Sequence, residues 1–322
     1  MTQRLEPTLA DALPGAPLRE AVLASCGTVF TWEDVVDWMK ESGAWAAATR
    51  RAAEGMTLAA VGAGSPTADQ LRSTAQRFRR DRRLVAGEDL LRWLAHWSIS
   101  EEEWVDWLDR TLRREAQTAP SHLTRTADEQ ATWVEAVCSW SLEEASVALA
   151  RALGAWAERT GGAPPPDEGR FDALRRAVEE LDETPVPRAD IERTIATNAA
   201  AWVQVAIEWA DFGTTDAARE AVASMREDGL SLTAVAEVAR AECEDAVLRA
   251  ADLGTHTRAA AVSSPLDSPI LLGTKERPGV VLVVRARRHP SPSNADDEAL
   301  ANLTCTEARV QAVMDRWVTW RV

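Results

Sequence analysis

Helical patterns, each opened by a capping residue, follow one another along the first 200 residues of the chain. Thr31, Thr67 and Ser100 each carry a hydroxyl that can accept a backbone N–H, and apolar residues recur at helical spacing after each of them. Ser100 precedes three glutamates, which favour the positive end of a helix dipole. Residues 18 to 53 are also predicted to be helical, with a break at Cys26-Gly27. The fold class is therefore predicted to be mainly α.

The chain has 14 tryptophans and no tyrosine. Most of the tryptophans recur at helical spacing beside other apolar residues, so we interpret them as core residues. A minority of them are candidates for an aromatic groove that binds peptides. The interpretation as core residues applies to Trp32, Trp38, Trp93, Trp97, Trp104, Trp107, Trp133 and Trp140.

Charge and composition exclude several function classes. A formal net charge of −15 repels phosphate backbones, so no nucleic-acid partner is expected. We interpret the basic run at 77–83 as a solvated helix face that pairs with nearby acids. The first residues lack the apolar core of a signal peptide and no segment resembles a membrane span, which predicts a cytoplasmic protein without a membrane partner. Four widely spaced cysteines predict free thiols, with no metal and no cofactor.

The pattern changes at Ala201. The segment AWVQVAIEWADF is rich in β-branched and aromatic residues, which predicts a strand. Two helical segments follow, DAAREAVASMREDG and SLTAVAEVARAE, the first of which ends at Gly229. After Pro278-Gly279, the run VVLVVRARR predicts a buried strand, and residues 298–322 predict a C-terminal helix.

This order of elements, from Trp202 to His289, resembles the parvulin (PpiC-type) peptidyl-prolyl isomerase module, and the preceding helices resemble the chaperone portion of SurA-like proteins. The whole chain is also similar to PpiC-related proteins of ribosomal peptide maturation. The resemblance implies a small α+β module within a helical frame. It divides the chain into an N-terminal helical region (1–120), a helical extension (121–200), a degenerate parvulin-like module (201–290) and a C-terminal helix that packs on the N-terminal region (291–322).

The resemblance to the parvulin family implies two pocket histidines, one in the opening strand and one two residues after the glycine of the last strand. Here the opening strand has no histidine, and Val281 stands two residues after Gly279. Of the four histidines, His96, His122, His256 and His289, only His256 falls where it can line a pocket of the module. We therefore predict no catalytic residues. By analogy with the strands of the family, the candidate peptide-binding residues are Ile207, Trp209, Phe212, His256, Val281 and Val283.

The chain is thus expected to be a non-catalytic chaperone or accessory protein that binds an unfolded protein or a ribosomally made precursor peptide. Modifying enzymes of the same pathway are further candidate partners. A divergent peptidyl-prolyl isomerase remains an alternative, because burial of the amide alone lowers the isomerisation barrier. A structural subunit of a peptide-modification complex is the other.

Overall fold

The computed structural model describes residues 9–117, 125–274 and 277–321. These residues divide into two compact units. Unit 1 contains the described residues up to Thr184 and those from Arg309 onwards, and unit 2 spans Pro185–Ala308. Both units are rich in helices, and each contains one small antiparallel sheet. No helix of the described ranges is both long and apolar enough to cross a membrane.

Unit 1 contains nine whole helices of the described chain and the last part, from Arg309 onwards, of a tenth helix that begins in unit 2. Ser100 and Thr67 cap two of them, as predicted: the Ser100 hydroxyl accepts the N–H of Glu103 at 3.2 Å, and the Glu103 carboxylate accepts the Ser100 N–H at 2.7 Å. The helices are α1 (Leu9–Ala12), α2 (Trp32–Ser42), α3 (Ala44–Ala60), α4 (Ala68–Asp81), α5 (Gly87–His96), α6 (Glu101–Ala116), α7 (Glu129–Cys138), α8 (Ser141–Thr160) and α9 (Arg170–Glu183).

A β-hairpin stands at the start of the segment that was predicted to be helical, so that prediction is wrong for residues 21–31. Strands β1 (Ala21–Ser25) and β2 (Thr28–Thr31) are joined by a two-residue turn at Cys26 and Gly27, whose φ angles are 51° and 77°. Two successive positive φ values define a type I′ turn, whose twist matches that of the strands. Leu23 and Phe30 become buried on the inner face of the hairpin.

The end of the chain completes this sheet. The predicted C-terminal helix is present as α14 (Ala295–Trp317), but its last residues are extended instead of helical. These residues form the last strand of the chain, β7 (Val318–Trp320), which pairs antiparallel with β1. The strand order of the sheet is therefore β2-β1-β7.

Tryptophans form much of the core of unit 1, as predicted from their spacing for most of them, but Trp93 is half-buried and Trp140 is 40% exposed, so the prediction is wrong for Trp140. Trp97 packs edge-on against Trp32, with ring centroids 5.0 Å apart, and lies 5.8 Å from Trp133. The Trp133 indole N–H donates to the Trp97 carbonyl at 2.8 Å, which satisfies its polar atom inside the core. Eight tryptophans of the described chain are buried: Trp32, Trp38, Trp45, Trp97, Trp104, Trp107, Trp133 and Trp202.

Glu135 of α7 is buried in this core, with only 2% of its surface exposed. Its carboxylate accepts hydrogen bonds from Arg51 Nε at 3.0 Å, Arg114 Nη1 at 3.1 Å and the Trp107 indole at 3.0 Å. These three donors come from α3 and α6. A buried carboxylate is tolerated only when it is paired and hydrogen-bonded, so this cluster fixes α7 relative to two other helices.

Arg82 shows that the basic run at 77–83 is not wholly a solvated face. Its side chain is buried, it donates to Glu143 Oε1 at 2.7 Å, and its guanidinium lies 3.9 Å from the Trp140 ring centroid and 4.6 Å from that of Trp93. It also donates to the carbonyl of Val137 near the end of α7. Arginine stacks on aromatic faces more readily than lysine does, and here it ties two helices together.

Unit 2 contains the strands that were predicted on either side of a helix pair. Its helices are α10 (Arg188–Thr197), α11 (Thr215–Glu227), α12 (Leu232–Ala239), α13 (Thr255–Ser263) and the first part of α14. Its strands are β3 (Gln204–Asp211), β4 (Cys243–Arg249), β5 (Pro269–Leu272) and β6 (Val280–Arg288). They form an antiparallel sheet in the order β4-β3-β6-β5. The predictions of β3, α11, α12 and β6 are confirmed, whereas β4 and β5 were not predicted.

Gly279 precedes β6 at a point where another segment of backbone approaches closely. Its carbonyl accepts the Phe212 N–H at 2.9 Å. A Cβ atom at this position would lie 2.7 Å from the Thr214 nitrogen and 2.8 Å from the Thr214 oxygen, closer than atoms tolerate. Only glycine therefore allows the end of β3 to stay beside the start of β6.

Replacement of Gly279 by alanine is expected to destabilise unit 2 by about 1 to 3 kcal/mol, because the added methyl group forces the two backbones apart. Amide hydrogen exchange of β3 and β6 measures the loss. Gly254→Ala is the matched control, since nothing lies within 4 Å of the added Cβ. Equal exchange rates in both variants would show that the close approach has no energetic consequence.

Candidate functional site

The sheet of unit 2 has two faces that carry different residues. On one, which we call the helix-pair face, Ala210, Val281 and Val283 pack against α11 and α12. On the other, the α13 face, Ile207 and Leu282 pack against η1 (Ala250–Asp252) and α13. Alternate side chains of a strand point to opposite faces, and the antiparallel register decides which residues of neighbouring strands share a face.

The structure does not bring the six candidate peptide-binding residues together. Ile207 and Trp209 contribute to the α13 face, whereas Phe212, Val281 and Val283 contribute to the helix-pair face. Ile207, Val281 and Val283 are buried in these cores. His256 is exposed near the start of α13.

At the positions where the parvulin resemblance implies pocket histidines, other residues stand and pack into the cores of the two faces. Val281 is fully buried beneath α11 and α12. On the opposite face, Trp209 packs against the core, and the Arg277 guanidinium lies 5.9 Å from its ring centroid. His289 follows the end of β6, and His122 lies outside the described residues.

Part of the helix-pair face is not covered by α11 and α12, and it forms an open cavity of about 360 Å³. Its floor and walls come from three strands and from one residue of α12. The lining residues include small and apolar side chains beside carboxylates and one guanidinium: Ala206, Ile207, Glu208, Thr233, Cys243, Glu244, Asp245, Ala246, Val247 and Arg285. Of the six predicted residues, Ile207 alone is among them.

A β-bulge directs Arg285 toward this cavity. Ala206 is opposite Ala286 and Ile207 is opposite Val284, so Arg285 is the extra residue of β6. The Arg285 guanidinium donates to Glu208 Oε2 at 2.6 Å and to Asp267 Oδ1 at 2.9 Å. The hydrogen bonds to Glu208 and then to Asp267 raise the pKa of Arg285 further above its ordinary value, so this guanidinium stays charged.

The acids of β4 are not neutralised in this way. Glu244 and Asp245 belong to β4 and are among the residues around the cavity, and Glu242 directly precedes the strand. None of these three acids forms an ion pair with another residue that the structure describes. Val247 is 69% exposed and Leu248 is 36% exposed on the same strand. The candidate site is therefore a strand that presents carboxylates and apolar side chains side by side.

The described part of the chain contains no group of three or more His, Cys, Asp or Glu side chains that could hold a metal ion. Burial raises the pKa of the Cys138 thiol, which keeps this cysteine from acting as a nucleophile.

Comparisons with known proteins add limited information. No protein-family model matches the chain, and no curated protein does. A solved structure of the Campylobacter jejuni SurA-like chaperones, described as the virulence factor PEB4 and the periplasmic protein Cj1289, matches over 94% of this chain and 99% of its own, at 8% identity and a TM-score of 0.21. At that TM-score the match carries no structural argument, so the interpretation of unit 2 depends on its own topology.

Proposed function

We propose that the chain is a non-catalytic polypeptide-binding protein, a chaperone or accessory protein for an unfolded protein or a ribosomally made precursor peptide. The observation that supports this proposal is the uncovered part of the helix-pair face. There a cavity of about 360 Å³ combines the small and apolar side chains of Ala206 and Val247 with charged groups. Concave sites of this size, with apolar walls and a few polar groups, are typical of binding sites.

Catalysis of prolyl isomerisation has no comparable support in the geometry. An isomerase needs an apolar pocket in which the X-Pro amide is desolvated, with hydrogen-bonding groups placed around it. Val281 is buried in the core under α11 and α12. Trp209, on the α13 face, packs against the core between the sheet and α13. The cavity that remains open is instead lined by three charged side chains, those of Glu208, Asp245 and Arg285.

Two assays separate the binding protein from the isomerase. Unstructured fluorescent peptides of basic, acidic and neutral apolar composition are titrated with the full chain and followed by anisotropy. We expect saturable binding of at least one of them at micromolar concentration, which corresponds to about 8 kcal/mol. In a protease-coupled assay, the same protein is expected to leave the isomerisation rate of X-Pro peptides at its uncatalysed value.

The outcomes of the two assays are independent. Absence of saturable binding with all three peptides would contradict the proposed function. A rate above that of buffer, abolished when the peptide-binding cavity is filled by Ala206→Trp, would replace the binding protein by a divergent isomerase. Ala206 is suited to this test because it lines the cavity and is half-buried.

A further inference from the structure

β4 is an edge strand of the sheet of unit 2 and has an unpaired outer side. The Ala250 N–H, directly after β4, donates to the Val203 carbonyl at 2.8 Å. In an antiparallel ladder the inward and outward directions alternate along the strand, and the register of β3 and β4 has no shift. Asp245, Val247 and Arg249 therefore direct their N–H and C=O groups away from β3. The described residues supply no backbone partner for them.

The two edges of this sheet differ in how well they are protected. β5 has four residues, begins with Pro269, and packs on α11, from which Arg226 donates to the Pro269 carbonyl. Proline, short length and a covering helix are the usual devices that prevent an edge strand from pairing with another chain. β4 has seven residues, none of them proline or lysine. It is the edge that remains able to accept a further strand.

The side chains of β4 specify what kind of strand fits. Glu244 and Asp245 are adjacent, so one carboxylate stands on each face of the sheet, and the neighbouring apolar pair Val247 and Leu248 is divided in the same way. On the helix-pair face, Asp245 and Val247 line the cavity, which leaves room for the side chains of an added strand. Cross-strand neighbours interact strongly when opposite charges or two apolar groups face each other.

We propose that β4 binds an extended polypeptide segment by strand addition, and that the segment carries two adjacent basic residues and two adjacent apolar residues separated by one residue. The basic pair lies opposite Glu244 and Asp245, and the apolar pair lies opposite Val247 and Leu248. Main-chain hydrogen bonds supply affinity and the side chains supply selectivity, as in other strand-addition complexes. This inference rests on the proposed function and names the chemistry of its ligand.

A second copy of this chain fits the edge less well. Each copy carries the same acids on β4 and a net charge of −15, so two copies repel each other. A basic segment is attracted by that charge and approaches faster.

The test uses the full chain and a short fluorescent peptide with Val-Val-Thr-Lys-Lys at its centre, with Val-Val-Thr-Glu-Glu as the charge-inverted peptide. Val247→Pro removes the outward N–H without affecting a bond to β3, because proline is tolerated where an edge N–H faces solvent. We expect this variant to bind the basic peptide about tenfold more weakly or worse. Val247→Thr keeps the N–H, the β-branched shape and, we expect, the affinity to within about threefold.

A charge-reversed variant tests the same edge without a backbone change. Glu244→Lys with Asp245→Lys alters two exposed residues, so folding is expected to be unaffected. This variant is expected to prefer the acidic peptide over the basic one, a reversal of the wild-type order.

Each outcome bears on a distinct claim. Equal affinity of Val247→Pro, Val247→Thr and wild type for the basic peptide, or an unchanged preference in the charge-reversed variant, overturns strand addition at β4 and leaves the proposed function intact. Self-association of the wild type that Val247→Pro abolishes, seen by sedimentation, overturns it in favour of a second copy as the occupant. Absence of binding of any peptide to the wild type overturns the proposed function itself.

Discussion

Replacement of Glu135 by leucine is expected to destabilise unit 1 by about 3 to 5 kcal/mol, the usual cost of removing one partner from a buried ion pair. The substitution leaves the guanidiniums of Arg51 and Arg114 and the indole N–H of Trp107 without the acceptor that they share. Of these, Arg114 and Trp107 are themselves largely removed from water, so they cannot regain the lost bonds from solvent.

Urea unfolding followed by tryptophan fluorescence measures this loss, because all tryptophans except Trp202 and Trp209 lie in unit 1. The matched control is Glu129→Leu, which removes the same charge from an exposed position of the same helix and is expected to change stability by no more than about 0.5 kcal/mol. Similar midpoints for the two variants would mean that the buried cluster contributes nothing beyond packing.

Replacement of Asp297 by asparagine is expected to destabilise unit 2 by about 2 to 3 kcal/mol near neutral pH, with an effect that fades in acid. Asp297 is fully buried at the start of α14 and accepts both Nη groups of Arg288 and the Ser291 N–H. The hydrogen bond from Arg288, joined by that from Ser291, lowers the pKa of Asp297 below its ordinary value of 3.8, although burial opposes the shift. Arg288 is partly exposed, which limits the magnitude.

The sign of the pH effect follows from this lowered pKa. The ionised carboxylate stabilises the folded state fully above the ordinary value of 3.8, and the stabilisation is lost as pH falls through the lower pKa of the folded state. The difference between wild type and Asp297→Asn should therefore shrink as the pH is lowered from about 7 to about 2. Fluorine NMR of 5-fluorotryptophan at Trp202 and Trp209 follows unfolding of unit 2 alone.

Asp296→Asn serves as the control for this measurement. Asp296 is the exposed neighbour of Asp297 in the first turn of α14, and its removal deletes the same charge. We expect a change of no more than about 0.5 kcal/mol, nearly independent of pH. A pH-independent loss in Asp297→Asn would indicate that shape, and not ionisation, is what the site requires.

The helices of the chain were predictable because their signals are local. Ser100 and Thr67 cap where their spacing to Glu103 and Gln70 indicates, and the confirmed strands β3 and β6 are rich in β-branched residues. The hairpin of β1 and β2 was missed because a five-residue apolar run is equally compatible with helix and strand. Its turn has Cys26 where asparagine or aspartate usually signals a type I′ turn, so the residue type concealed the geometry.

The candidate site was less predictable because it depends on register and on an edge. Ile207 lies opposite Val284, so from Ile207 onward the odd-numbered residues of β3 share a face with the even-numbered residues of β6. The predicted set of peptide-binding residues, which combined Ile207 with Val281 and Val283, therefore joined opposite faces of the sheet. No local pattern gives that parity. β4 was missed because it is exposed on both faces, which removes the apolar alternation that identifies a strand. The only sequence signal for a charged group at the cavity was the run of arginines that ends VVLVVRARR, to which Arg285 belongs.

The pairing of β7 with β1 has a consequence for the order of events during translation. The strand that completes the sheet of unit 1 lies after all 124 residues between Thr184 and Arg309, which belong to unit 2. From the end of the hairpin at Thr31 to the start of β7 at Val318 the ribosome adds 286 residues. At a synthesis rate of about 5 to 20 residues per second, the β1 edge stays unpaired for roughly 14 to 57 seconds. During that interval β1 is an open edge of the kind that pairs with other chains, and β7 closes it when it is made.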